Sequence, residues 1–99
     1  MATERDARRE PAADYSRMYR EALVKHRDLA VAKLGDVIAS HISNAYSFFN
    51  VGPKQLGDTM RGDVTFAHVV EAFLEKNPTL RPLCVYDVEH DLLNVKLIK

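Results

Sequence analysis

The stretch DYSRMYREALVKHRDLAVAKLGDVIASHISNAYSFFNVG, Asp14 to Gly52, decides the fold. It holds no proline, and its one internal glycine is Gly35. Nothing in it removes a helical hydrogen bond or blocks a turn, as an interior proline would. Tyr15, Tyr19, Ala22, His26 and Leu29 follow one another at steps of four, three, four and three. Such steps return a side chain to the same face of a helix. Leu34, Ile38, His41, Ala45 and Phe48 repeat the alternation. The join between the runs, Leu29 to Leu34, is one residue too long to continue the pattern. Each residue turns a helix by about 100°, so the two faces point in different directions.

Two structures explain the slip. In one, the helix stops at Gly35 in a left-handed cap and restarts with Asp36 as N-cap. In the other, the helix continues and its buried face moves round. Val24, Val31, Ile38 and Ala45 recur every seven residues and cross the join, which favours a helix that is continuous or slightly kinked at Gly35. Gly35 then costs about 1 kcal/mol relative to alanine. On this reading the helix extends to Asn50-Val51-Gly52-Pro53, where asparagine, glycine and proline end it.

Working outward, residues 1–13 are rich in charge and alanine and carry Pro11. They read as a flexible charged tail ahead of a single domain, 14–99. Arg5, Arg8 and Arg9 could form a basic arm, but Glu4, Asp6 and Glu10 interleave with them and cancel most of its field. Downstream, Pro53 can open a short helical turn to Met60. Asp63 or Thr65 then caps an amphipathic helix whose inner face is Val64, Ala67, Val70, Phe73 and Leu74, and Asn77-Pro78 stops it. From Leu83 the period becomes two. Cys84, Tyr86 and Val88 share one side of a strand, and Leu93, Val95 and Leu97 one side of another, with Glu89-His90-Asp91 as the turn. The expected class is α+β, mainly α: a long N-terminal helix, a short helix, a second amphipathic helix and a C-terminal β-hairpin.

Composition narrows the function classes. Ninety-nine residues hold one domain and one core. The net charge is zero, with 14 basic and 14 acidic side chains, whereas dedicated binders of nucleic acid or anionic membrane usually carry a positive excess. No apolar stretch approaches the roughly 20 residues that span a bilayer, and no signal-peptide core follows the charged start. Cys84 is the only cysteine and has no internal partner. A cytoplasmic, reducing location is expected.

Motifs for chemistry are sparse. The glycines at 35, 52, 57 and 62 match neither phosphate-binding pattern. One cysteine and scattered histidines do not make a zinc site. His68, Glu71 and Glu75 lie a turn apart on one helix and could hold a metal, although an ordinary polar face explains them as well. Cys84 falls on an inward position, where a free thiol acts as a small apolar group. No paired acid and base stands out, so neither an enzyme nor a cofactor is expected.

The double stripe points instead to a non-enzymatic interaction module that self-associates through its long helix. A small monomer has few elements with which to cover two faces, and a symmetric dimer supplies another. Val24, Val31 and Ile38 are the expected interface, with Tyr46 as an aromatic anchor. His26 and His41, at equivalent places in the two runs, would make such a seam sensitive to pH. The alternative is a small nucleic-acid-binding protein. Arg17, Arg20, Lys25, Arg27 and Lys33 would lie along the phosphate backbone without reading sequence.

Overall fold

The computed structural model describes residues 2–97, with side chains described from Asp14 onward. The expected charged tail, residues 1–13, lies outside the residues whose side chains are described. The mainly helical α+β class is as expected. Helix α1 (Ala2–Ser43) runs unbroken through Gly35. Strand β1 (Phe48–Val51) follows, then a 3₁₀ segment (Pro53–Thr59), helix α2 (Phe66–Lys76) and a second 3₁₀ segment (Pro78–Leu83). Strands β2 (Cys84–Asp87) and β3 (Leu92–Lys96) complete the chain. The sheet order is β1-β3-β2, with both neighbours antiparallel to β3.

The long helix does not continue through Phe48; it ends at Ser43, and the C-terminal hairpin gains a third strand from the segment after it. Ala45 takes a left-handed conformation, φ 66. The N–H of Tyr46 donates to the carbonyl of His41 (3.0 Å), and that of Ala45 to Ile42 (2.9 Å). This 6→1, 5→2 pair is the Schellman closure of a helix C-terminus, which satisfies carbonyls that the helix leaves free. The chain then alternates. Phe49 and Val51 point inward while Phe48 and Asn50 stay exposed, as a strand with one wet face requires.

Inside the sheet, Phe49 lies opposite Val95 and Val95 opposite Cys84; Val51 lies opposite Leu93 and Leu93 opposite Tyr86. These inward rows pack with Ala30, Val31, Leu34 and Ile38 of α1 and with Phe66, Val69, Val70, Phe73 and Leu74 of α2. Leu56, from the first 3₁₀ segment, joins the same core. At Gly35 a Cβ would sit 3.4 Å from the ring edge of Phe73. That distance is an ordinary van der Waals contact, so glycine neither ends the helix here nor is required by the packing of α2.

α2 is capped at Thr65, whose hydroxyl accepts from the His68 N–H at 3.4 Å. Asn77 ends it: its backbone and side-chain N–H groups both donate to the carbonyl of Phe73. The β2–β3 turn forms without an Asn-Gly pair because side chains build it. Asp87 accepts from the His90 backbone at 3.2 Å and pairs with His90 Nδ1 at 2.8 Å, and the Tyr86 hydroxyl donates to Asp91. Asp91 adopts φ 54, a conformation that Asp tolerates better than most residues. Val88, expected on the inward side with Cys84 and Tyr86, instead sits in this turn and is 79% exposed.

Candidate interaction surface

Between Asp14 and Leu29 every side chain of α1 is exposed or half-buried. Burial begins at Ala30. Taking about 100° per residue, Ala30, Val31, Leu34 and Ile38 share one sector of the helix. Tyr15, Met18, Tyr19, Ala22, His26 and Leu29 share another, roughly 120° away. The first sector is core. The second is mostly open to solvent: Tyr15 is 68% exposed, Met18 57%, Tyr19 50% and Leu29 47%, while His26 is half-buried.

This reverses the assignment read from the sequence. Val31 and Ile38, expected to meet a partner, are 6% and 3% exposed within this chain's own core. They cannot also form an interface without unfolding. Val24 on the same line remains accessible, because it lies ahead of the point where α1 meets the domain. Tyr46 is also exposed, edge-on to His41 with ring centroids 5.7 Å apart. His41 is itself tilted against the buried Phe49 at 4.6 Å.

The uncovered stripe borders a notch of about 170 Å³. Tyr19, Ala22, Leu23 and His26 line one wall, and Arg61, Gly62, Asp63 and Val64 the other. The helical wall has the i, i+3, i+4, i+7 spacing of the hole that receives a side chain in knobs-into-holes packing. The Tyr19 hydroxyl donates to the Asp63 carboxylate across the notch, and this hydrogen bond raises the tyrosine pKa. His26 is half-buried here, and its Nδ1 has no hydrogen-bond partner among the described residues.

The five cations proposed for a phosphate backbone do not converge. Arg17, Arg20 and Arg27 share a side, but Lys25 and Lys33 point to two other directions around the helix. Arg17 pairs with Asp14 at 2.9 Å. Arg27 is half-buried in a cleft with His68, Glu71 and Glu75 of α2, a setting that repels phosphate. Lys33 lines a different groove with Asp36, Ser40 and Gln55.

Among the described residues no three His, Cys, Asp or Glu side chains come together as a metal site, so His68, Glu71 and Glu75 do not form the trio their spacing allowed. The buried Cys84 thiol has its pKa raised by desolvation, which disfavours the thiolate that would act as a nucleophile. No helix among the described residues is long and apolar enough to cross a membrane.

Met18 was not singled out in the sequence, although it completes the i, i+3, i+4 set with Tyr15 and Tyr19. The outer face of the sheet was missed as well, because it depends on β1 being a strand. The Phe48-Phe49-Asn50-Val51 alternation was the available signal.

No family model, no curated protein and no solved structure matches this chain.

Proposed function

We propose that this protein is a non-enzymatic interaction module that self-associates through the amino half of α1. One observation carries the reading: four large apolar side chains, Tyr15, Met18, Tyr19 and Leu29, stand exposed on one helical face. Isolated exposed apolar residues are ordinary, but a contiguous stripe marks a contact surface. A second copy brings an identical stripe, so an antiparallel pairing of two α1 helices covers both at once. The notch beside Ala22 offers each helix a hole for a side chain of the other. A reducing, intracellular setting belongs to the same reading, supported by the single buried cysteine. Nucleic-acid binding by the basic side of α1 is not carried forward, because its cations diverge.

Sedimentation equilibrium tests the reading. The chain should be a dimer at micromolar concentration. Met18→Glu with Leu29→Glu should weaken association by roughly 30-fold or more, as expected when central anchors are lost. A monomer at high micromolar concentration would overturn the proposal.

A further inference from the structure

A second surface stands apart from α1. The inward rows of the sheet meet the helices, and its outer rows meet nothing among the described residues. Phe48 on β1 lies directly opposite Lys96 on β3; Asn50 lies opposite Asn94, which lies opposite Val85 on β2. Cross-strand partners point to the same side with Cβ atoms about 5 Å apart, and successive outer rows are about 7 Å apart. One small plane therefore carries an aromatic ring, two carboxamides and an ammonium group. Phe48 is 65% exposed and Val85 66%, where an open sheet face is normally polar.

We propose that this face binds single-stranded nucleic acid. An unpaired base has what the surface lacks: a flat π-face to stack on Phe48, edge donors and acceptors for Asn50 and Asn94, and an attached phosphate for Lys96. Stacking on an exposed aromatic, with carboxamides at the base edge and a cation on the backbone, is how proteins hold unstacked strands. The charge pattern agrees. Lys96 lies beside Phe48, and among the described residues the one acidic side chain in these outer rows, Asp87, is in the row furthest from it and hydrogen-bonded to His90. A second copy stacked on the same face would bury Asn50 and Asn94, which costs free energy unless their carboxamides pair. Duplex nucleic acid fits poorly, since its bases are already stacked.

Fluorescence anisotropy decides this, using labelled mixed-sequence RNA and DNA oligonucleotides, single-stranded and duplex, at low and moderate salt. The single strands should bind and the duplexes should bind more weakly. Phe48→Ala should weaken binding by about 5- to 150-fold, the range for losing one base stack. Phe48→Tyr should restore it, which separates stacking from any loosening of β1. Lys96→Ala should reduce the slope of log affinity against log salt by about 0.7, one phosphate contact on a single strand. No binding at low salt, equal binding of duplex, or binding indifferent to Phe48→Ala would each overturn the assignment. The same titration with Met18→Glu and Leu29→Glu in place keeps the result distinguishable from pairing through α1, since neither residue lies on the sheet.

Discussion

Ala45 is the residue on which the architecture turns. The sequence offers it as the best of helix formers at a position that continues the His41–Ala45–Phe48 spacing. The structure puts it at φ 66, where an L-residue crowds its Cβ against the backbone. That conformation costs roughly 1–2 kcal/mol relative to the right-handed one, and glycine escapes most of it. Glycine also adds freedom to the unfolded chain, so the net gain is smaller. Ala45→Gly should therefore stabilise the fold by about 0.5–1 kcal/mol, read as a higher urea midpoint with unchanged slope. A lower midpoint would mean that the helix does not end here. The misreading has a physical cause. Helix propensity is a weak preference, and the closure of α1 is decided by a strand pairing formed with residues far along the chain. Val31 makes the complementary point. It lies on a genuine seven-residue repeat with Val24, yet Val31 is 6% exposed and Val24 46%. Val31→Asp should destabilise by more than about 3 kcal/mol, because it places an unpaired carboxylate in the core. Val24→Asp should stay within about 0.5 kcal/mol, and thermal melts of the two variants check both.

Among the elements, the ends of α2 and the hairpin were legible because their signals are local. The inner face of α2 was legible only in part: Val70, Phe73 and Leu74 are buried as expected, while Ala67 is exposed and Phe66 and Val69 are buried instead. Thr65 caps, Asn77-Pro78 stops, and the alternation from Cys84 to Val95 sorts inside from outside. β1 was not legible in the same way. Its four residues overlap a helical spacing, and only the hairpin gives them a partner. The β2–β3 turn carries its own stabilisation in titratable groups, with opposite signs at the two ends of the pH scale. Hydrogen bonds from the His90 side chain and backbone hold the Asp87 carboxyl below its ordinary range. A depressed acid stabilises the fold above the unfolded carboxylate range, near 4, and loses that contribution as pH falls through its folded value. The Tyr86 hydroxyl, donating to Asp91, has its pKa pushed up to about 12 from an ordinary 10. A raised tyrosine stabilises below about 10, and the contribution disappears as pH rises through about 12. Urea midpoints across pH should therefore show Asp87→Asn costing most above about pH 4 and progressively less below it. Tyr86→Phe should cost most below about pH 10, its deficit shrinking towards pH 12. A deficit that does not change with pH in either variant would mean that the pair does not couple to folding.

At the scale of the whole molecule, periodicity revealed two stripes on α1 but could not say which one the domain would cover. That choice belongs to the packing of α2, the sheet and the first 3₁₀ segment against the carboxyl half of the helix. They take the side of Ala30, Leu34 and Ile38, and the Tyr15–Leu29 face is left to solvent. If that face is the self-association surface, folding and pairing are linked by mass action. A dimer of the folded chain draws the equilibrium away from the unfolded state, and the melting temperature must rise with protein concentration. The two stripes then behave differently under substitution. Leu29→Glu should remove the concentration dependence while leaving the melting temperature of the dilute protein within a few degrees, since Leu29 is 47% exposed and holds nothing in the core. Val31→Asp should lower the melting temperature at every concentration. Calorimetry over a hundredfold concentration range separates these outcomes. A melting temperature independent of concentration in the unmodified chain would leave the exposed stripe without a self-partner. A concentration dependence that survives Leu29→Glu would move the contact to another surface.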